Sequence, residues 1–226
     1  MFDYMKSKKH QETHKRRKIY EHFDEYTKKY NLGFKNKQVL DISGGNGDFL
    51  KRLKKEKSCE VYLTEFSKEV VDYANKEMGV PTKFYDCNKD NLNNLFWKKF
   101  DFVLLRSFVM FVKDLDSFVK QVKSALKSGG KVVVINSWCP SYGVFMRWQF
   151  DDYVVLRLYS SETLIKTFVQ NGFKLVNRGD KWVRNSLTHL HWALKPIAFY
   201  YGFFASFKNI NKERTQKSFD FIFEKQ

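Results

Sequence analysis

The apolar positions of this chain form short continuous runs, separated by longer stretches with helical spacing. Continuous apolar runs of this length are typical of strands that are buried on both faces. The stretches between them repeat their apolar residues every three or four positions, and Ser67 precedes one of them as a helix-capping residue. Strands are predicted over 39–42, 60–64, 82–85, 100–105 and 131–136, and helices over 48–55, from Ser67, and over 114–126. This alternation predicts an α/β fold with a parallel sheet and helices on both faces.

The pattern changes after the fifth predicted strand. Residues 138–160 are rich in aromatic side chains, and a strand–helix–strand crossover does not require so long or so aromatic a connection. We therefore predict a small aromatic cap there. A helix capped by Ser160 and a sixth strand over 173–176 follow, and helical spacing returns over 187–205.

Residues 39–50 carry the clearest functional signal. An apolar strand ends at Asp41, three glycines within 44–47 form a bend, and a helix begins. Glycine lets the backbone approach a ligand closely and adopt positive φ. Alone, the bend fits either an ordinary strand-to-helix turn or a nucleotide-binding turn. The second predicted strand ends on Glu65, near the ~20-residue offset at which doubly wound folds place a carboxylate on a ribose hydroxyl, and this favours the nucleotide-binding turn.

The segment Asp41-Ile42-Ser43-Gly44-Gly45-Asn46-Gly47 resembles the D-x-G-x-G-x-G motif of class I S-adenosylmethionine-dependent methyltransferases. Ser43 replaces the first glycine, where its small hydroxyl is expected to fit against the methionine end of the cofactor. Residues 126–130, Leu-Lys-Ser-Gly-Gly, resemble the turn Leu-Lys-Pro-Gly-Gly of that family. The resemblance covers roughly residues 37–180 and a last strand in which Phe219, Phe221 and Phe223 alternate with other residues.

The resemblance implies a seven-stranded, mostly parallel sheet whose last strand is antiparallel. It also implies an N-terminal helical lid over 1–35, in front of a Rossmann-like domain over 36–226. Within that domain we expect the cap at 138–160 and a helical insertion at 185–210, between the sixth and seventh strands.

The resemblance further implies S-adenosylmethionine as the methyl donor and S-adenosylhomocysteine as the product. Asp41 is expected near the ammonium group of the methionine moiety, Glu65 on both ribose hydroxyls, and Phe66 against the adenine. Asp86 matches the acceptor of the adenine amino group, with the backbone of Cys87 beside it. The predicted cofactor-binding set is completed by residues of the glycine loop and by the arginine after the fourth strand: Ser43, Gly45, Asn46, Gly47 and Arg106.

The methyl acceptor is expected beyond the carboxyl ends of the fourth and fifth strands, as in other open α/β sheets. The predicted lining residues are Ser107, Asn136, Trp138, Tyr142 and Arg147. Methyl transfer from a sulfonium requires alignment and desolvation, and a base only where the nucleophile must lose a proton. No spacing singles out a catalytic residue among the candidate bases, which are His22, Asp151, Asp152, His189 and His191.

Two features bear on the acceptor. Residues 106–109 read Arg-Ser-Phe-Val, whereas methyltransferases acting on exocyclic base amines carry an Asn/Asp-Pro-Pro-aromatic run there. The net charge of +16 fits either a nucleic-acid partner or lysines spread over a solvated surface, and we favour the second because the dense basic cluster is confined to 6–18. We predict a small-molecule acceptor, acidic or phosphorylated if Arg106 or Arg147 contacts it. RNA and a non-enzymatic cofactor-binding role are the alternatives.

The remaining features set limits on the class of protein. The three cysteines lack metal-ligand spacing, so no metal site is predicted. The first twenty residues contain no apolar core of a secretory signal, and no apolar run reaches the length of a membrane span, so we expect a cytoplasmic protein. The aromatic stretch at 197–207 fits either contact with a lipid-like acceptor or a homodimer face.

Overall fold

The computed structural model describes residues 32–136, 157, 159–182 and 216–226. Its centre is a seven-stranded sheet in the order β3-β2-β1-β4-β5-β7-β6. The first five strands pair in parallel, and β7 is antiparallel to both of its neighbours. The strands are β1 (Gln38–Ile42), β2 (Glu60–Glu65), β3 (Thr82–Phe84), β4 (Phe100–Arg106), β5 (Leu126–Asn136), β6 (Phe173–Trp182) and β7 (Gln216–Lys225). The predicted fold class is confirmed.

Four α-helices belong to the described part of the chain: α1 (Asp48–Lys57), α2 (Lys68–Tyr73), α3 (Leu115–Ala125) and α4 (Ser161–Gln170). A π-helical turn, Ala74–Met78, continues α2, and short 3-10 turns cover Leu92–Asn94 and Val109–Phe111. The N-termini of α2, α3 and α4 are capped by Ser67, Asp114 and Ser160, whose side chains accept a backbone N–H of the first turn. The predicted capping roles of Ser67 and Ser160 are confirmed.

Alternate residues of each central strand pack against opposite layers of helices. On one face, Leu40, Ile42 and Val103 belong to a cluster that includes residues of α3 and α4. On the other face, Val39 and Leu104 belong to a cluster that includes residues of α1. Because β1 and β4 are covered on both faces, their central positions are mostly apolar, as the sequence predicted.

Some element boundaries differ from those predicted. The helix predicted over 114–126 ends one residue earlier, at Ala125, because Leu126 already pairs with Phe100 at the start of β4. The pairing register then shifts, so that Lys131 pairs with Phe102, and the glycine turn lies within this irregularity of β5. Strand β6 is longer than the predicted 173–176, because its pairing with β7 continues to Trp182.

The lid over 1–35 lies almost entirely outside the described residues, as do the aromatic cap and the helical insertion, and these remain predictions. In the described part of the chain, no helix has the length and apolar character needed to cross a membrane.

Candidate functional site

The loop between β1 and α1 alternates its backbone between ordinary and left-handed conformations. Ser43, Gly45 and Gly47 have φ values of 56°, 73° and 83°. The Ser43 N–H donates to the carbonyl oxygen of Thr64 at 2.8 Å, which ties the loop to the adjacent strand β2. Left-handed φ is accessible to glycine at little steric cost, which suits Gly45 and Gly47, whereas a Cβ on Gly44 would collide with the Asp41 carboxylate.

Glu65 ends β2 and binds this loop directly. Its Oε1 accepts the N–H of Gly45 at 2.6 Å, and its Oε2 accepts the N–H of Phe66 at 3.1 Å. Burial of the carboxyl raises the pKa of Glu65 to about 7, and the nearby Asp41 acts in the same direction, against the two backbone donors. Each carboxylate oxygen can accept more than one hydrogen bond, so acceptor capacity remains for a ligand.

Asp41, at the carboxyl end of β1, is fully buried and paired with Arg106 of the neighbouring strand β4. Arg106 donates from Nε at 3.0 Å and from Nη2 at 2.5 Å to the same carboxylate oxygen, Oδ2. Its Nη2 also donates to the carbonyl of Gly44 at 3.0 Å, and the guanidinium lies 4.9 Å from the centre of the Phe49 ring. Burial raises the pKa of Asp41, and the charge of Arg106 opposes that rise.

The second carboxylate oxygen of Asp41 is a hydrogen-bond acceptor that the described part of the protein leaves unused. Oδ1 is buried and has no hydrogen-bond partner within the described residues. A buried carboxylate oxygen without a donor is costly, so a donor from a ligand, direct or through water, would stabilise it. A Cβ on Gly45 would meet no protein atom within 4 Å, so there is open space beside this loop. Both observations fit the bound amino group that the sequence resemblance implies near Asp41.

The predicted adenine-contacting residues lie after β2 and β3. The Phe66 side chain is 46 % exposed, and its ring centre is 5.8 Å from that of Phe84. The Asp86 carboxylate accepts the N–H of Asn88 at 3.0 Å and lies 3.4 Å from Lys89 Nζ. The Cys87 thiol is half-buried against the carbonyl of Phe111, and burial raises its pKa to about 12. The exposed ring of Phe66 and the loop at 86–87 follow adjacent strands, so they lie on the same edge of the sheet.

The remaining predicted residues fall into two groups. The Asn46 side chain bonds Asp48 at 2.7 Å at the start of α1, and the Ser107 N–H donates to the carbonyl of Ile135 at 2.6 Å, with φ 50°. Asn136 ends β5, but its side chain is outside the description. The lining residues Trp138, Tyr142 and Arg147, and the candidate bases His22, Asp151, Asp152, His189 and His191, lie outside the described residues.

Sequence reasoning missed several contacts of the site. The Asp41–Arg106 ion pair was not predicted, nor was Phe84 beside Phe66. Asn88 was also missed: its side chain donates to the carbonyl of Phe111 at 2.9 Å and accepts the N–H of Lys113 at 2.8 Å. These two bonds join the loop after β3 to the loop after β4. A signal for the ion pair was available, since opposite charges end two apolar runs that a parallel sheet can place side by side.

Comparison with known proteins agrees with this geometry. A family model described as a methyltransferase domain matches residues 13–178, which is more than half of the chain. The chain therefore belongs to the methyltransferase domain family. Its predicted place among the class I S-adenosylmethionine-dependent methyltransferases is confirmed, and S-adenosylmethionine is the cofactor of that class. No curated protein matches the sequence.

Solved structures with low sequence identity share the fold. A SAM-dependent methyltransferase from Archaeoglobus fulgidus is 20% identical, with a TM-score of 0.65, over 91% of this chain and 94% of that one. A putative sarcosine dimethylglycine methyltransferase from Galdieria sulphuraria is 12% identical, with a TM-score of 0.64, over 91% and 84%. Phosphoethanolamine N-methyltransferase 2 from Haemonchus contortus, in complex with S-adenosyl-L-methionine, is 17% identical, with a TM-score of 0.59, over 91% and 51%.

Proposed function

We propose that this protein transfers the methyl group of S-adenosylmethionine to an oxygen or nitrogen of a small-molecule metabolite. The observation that carries the proposal is the meeting of Asp41, the Gly45 N–H and Glu65 at one edge of the sheet, with Glu65 Oε1 only 2.6 Å from that N–H. When bound, S-adenosylmethionine supplies an activated methyl carbon. The side chains that hold it therefore need to orient and desolvate the reactants rather than activate the donor.

Each cofactor role in the proposal corresponds to a group with matching chemistry. Glu65 accepts the two ribose hydroxyls, and Asp41 Oδ1 accepts the ammonium group, directly or through water. Phe66 packs on the adenine, and Asp86 accepts the adenine amino group. Arg106 acts on Asp41: it holds Oδ2 and leaves Oδ1 without a donor among the described residues. The roles of Ser43, Asn46, Gly47 and Cys87 are to shape the loops through their backbone.

A small acceptor is supported by the chemistry of the chain after β4 and by two similar structures. The chain has no Asn/Asp-Pro-Pro-aromatic run at 106–109, which makes methylation of a base amine a poor fit. Two of the structures that share its fold are described as methyltransferases of sarcosine or dimethylglycine and of phosphoethanolamine, which are small amines. An acidic or phosphorylated acceptor is included in the proposal, with Arg147 as its candidate partner.

The test is a turnover assay. The purified protein with S-adenosylmethionine is offered a panel of small amines, hydroxy acids, phosphorylated metabolites and total RNA, and release of S-adenosylhomocysteine is measured. We expect product with a small-molecule acceptor, at a rate that changes little between 50 mM and 200 mM salt. If the cofactor binds but no acceptor yields product, the protein is a cofactor-binding module and the proposed reaction is wrong.

RNA is a second candidate acceptor, and the net charge of +16 is the observation that favours it. Binding driven by phosphate contacts falls steeply with ionic strength, by orders of magnitude for several contacts over that salt range. Product formed only on RNA, with a strong salt dependence, would replace the small-molecule assignment.

A further inference from the structure

A second polar region lies at the opposite edge of the sheet from the proposed cofactor site. There, the ends of α3, α4 and β7 border an open cleft of about 560 Å³. Its lining includes Lys120, Lys123, Ser124, Asn171, Gly172 and Lys225, and we call this region the lysine cleft. The cleft is largely open to solvent, so it offers a charged surface rather than an enclosed pocket.

Lys123 and Lys225 line this cleft, and Lys99 lies near enough to act electrostatically on Lys225. Lys225 Nζ donates to the carbonyl of Leu126 at 2.8 Å, and Lys99 Nζ donates to the carbonyl of Ser124. Burial lowers the pKa of Lys225, and the positive charges of Lys99 and Lys123 lower it further. The two backbone bonds hold these cations in place, and each ammonium keeps two further donors.

Compensating negative charge is scarce around the cleft. Within the described residues, none of Lys99, Lys123 and Lys225 forms an ion pair with a carboxylate, whereas Lys120 is paired with Asp116 at 2.6 Å. The C-terminal ends of α3 and α4 each contribute roughly half of a negative charge. Those helix ends offset part of the lysine charge, and the cleft keeps a positive charge.

We propose that the lysine cleft binds a phosphate group of a second ligand. Lysine ammoniums act as point charges that suit a phosphate dianion, and the cleft lining contains no arginine fork for planar carboxylate recognition. The phosphate belongs either to a free phosphorylated metabolite or to a nucleic-acid backbone. The seven residues of β4 separate this edge from Arg106, a length of roughly 20 Å at ~3.3 Å per residue. The two ligands therefore bind without overlap.

Lys123 provides the sharpest variant, because its ammonium makes no hydrogen bond within the described part of the chain. Its removal should therefore leave the fold intact. Lys55 is the control, since it also lies in the last turn of a helix, although it is exposed where Lys123 is half-buried. Binding of inorganic pyrophosphate and of a 12-nucleotide uridine RNA is measured by titration on the full chain, for wild type, Lys123→Gln, Lys123→Glu and the same two changes at Lys55.

We expect saturable binding of one probe, weakened at least fivefold by Lys123→Gln and lost with Lys123→Glu, while both Lys55 variants stay within twofold of wild type. Preference for pyrophosphate identifies a free phosphorylated ligand, and preference for RNA identifies a nucleic acid. No saturable binding, or equal losses at Lys55 and Lys123, overturns the proposal and leaves these lysines as helix-end capping groups. Affinity for S-adenosylmethionine, measured in parallel, tests the cofactor site independently.

Discussion

Two glycine-rich turns lie at opposite edges of the sheet and use glycine for different physical reasons. In the loop after β1, a Cβ on Gly45 would meet no protein atom within 4 Å. In the turn before the paired part of β5, a Cβ on Gly130 would lie 3.0 Å from Leu126 Cδ2 and 3.1 Å from the carbonyl oxygen of Phe100. Gly45 keeps open space beside a backbone donor, whereas Gly130 lets the chain pack closely against itself. The first arrangement suits a ligand, and the second is a requirement of folding.

Two acidic side chains at these opposite edges also differ, in their burial and in their pKa. Glu60 and Glu65 occupy opposite ends of the same strand, β2. Glu60 is exposed, and hydrogen bonds from Lys98, Tyr62 and Gln38 lower its pKa to about 2. Glu65 is partly buried and accepts two backbone N–H groups, and burial raises its pKa to about 7. Carboxyl groups whose pKa is shifted by burial, rather than by surface ion pairs, cluster at functional sites, so the comparison favours the Glu65 edge as the functional one.

The largest effect is expected for Gly45→Val. A branched side chain would fill the space beside the loop and is disfavoured at φ 73°, so we expect affinity for S-adenosylmethionine to fall more than a hundredfold. The fold should persist, because a Cβ there meets no protein atom within 4 Å and the backbone strain is a local cost of about 1–2 kcal/mol. Calorimetry measures the affinity, and circular dichroism checks the fold. Normal affinity in a folded variant would remove this loop from the cofactor site.

Glu65→Ala is expected to weaken cofactor binding by more than tenfold, because a hydrogen bond to a charged group contributes about 1.5–3 kcal/mol. Glu60→Ala is the matched control at the other end of β2 and should leave the affinity within twofold of wild type. Calorimetric titration of both variants tests whether the cofactor binds at the edge of the sheet that carries Glu65. Equal affinities for the two variants would contradict the ribose role of Glu65.

The raised pKa of Glu65 predicts opposite pH dependences for binding and for folding. The ionised carboxylate accepts the ligand hydroxyls, so the affinity for S-adenosylmethionine should rise about tenfold from pH 6 to pH 8. The Glu65→Gln variant should not show this rise. In the ligand-free protein, Glu65 contributes stability that is fully present below pH 4.5 and is lost as the pH rises through about 7. At ~1.4 kcal/mol per pKa unit, this loss is about 1–3 kcal/mol. Affinity that does not vary with pH would count against an ionised Glu65 as the acceptor.

Gly130→Val should lower the free energy of unfolding by about 1–3 kcal/mol, because the added atoms crowd Leu126 and two backbone carbonyls. Cofactor affinity should be unchanged in the folded variant. Gly129→Ala is the control: its Cβ would meet nothing within 4 Å, so only the left-handed backbone at φ 69° opposes it, at roughly 1 kcal/mol. Denaturant unfolding measures both. A loss of affinity for S-adenosylmethionine in the folded Gly130→Val variant would contradict the purely structural role of this turn.

The sequence predicted the strands well because a parallel sheet covered on both faces leaves long apolar runs, such as those of β1 and β4. Contacts that depend on strand order were missed, although opposite charges at the ends of two apolar runs were a signal for the ion pair. Asp41 and Arg106 are far apart in the chain and meet because β4 pairs with β1 in the sheet order. The end of α3, in contrast, was predicted to within one residue, because the Ser128-Gly129-Gly130 turn follows it closely.

Ser43 gives the smallest and most specific test of the loop. The sequence comparison explained its tolerance by the small size of the hydroxyl, but the backbone sets the stronger condition, since φ at this position is 56°. A non-glycine residue with left-handed φ costs roughly 1–2 kcal/mol. Replacing it with glycine removes this cost, but the greater conformational freedom of glycine in the unfolded chain cancels part of the stabilisation. We therefore expect Ser43→Gly to raise the free energy of unfolding by about 0.5 kcal/mol, with cofactor affinity within twofold of wild type. Thermal unfolding measures the gain, and Ser58→Gly, at φ 53° after α1, is the control outside the loop. A drop in affinity confined to Ser43→Gly would instead show that the hydroxyl itself contacts the cofactor.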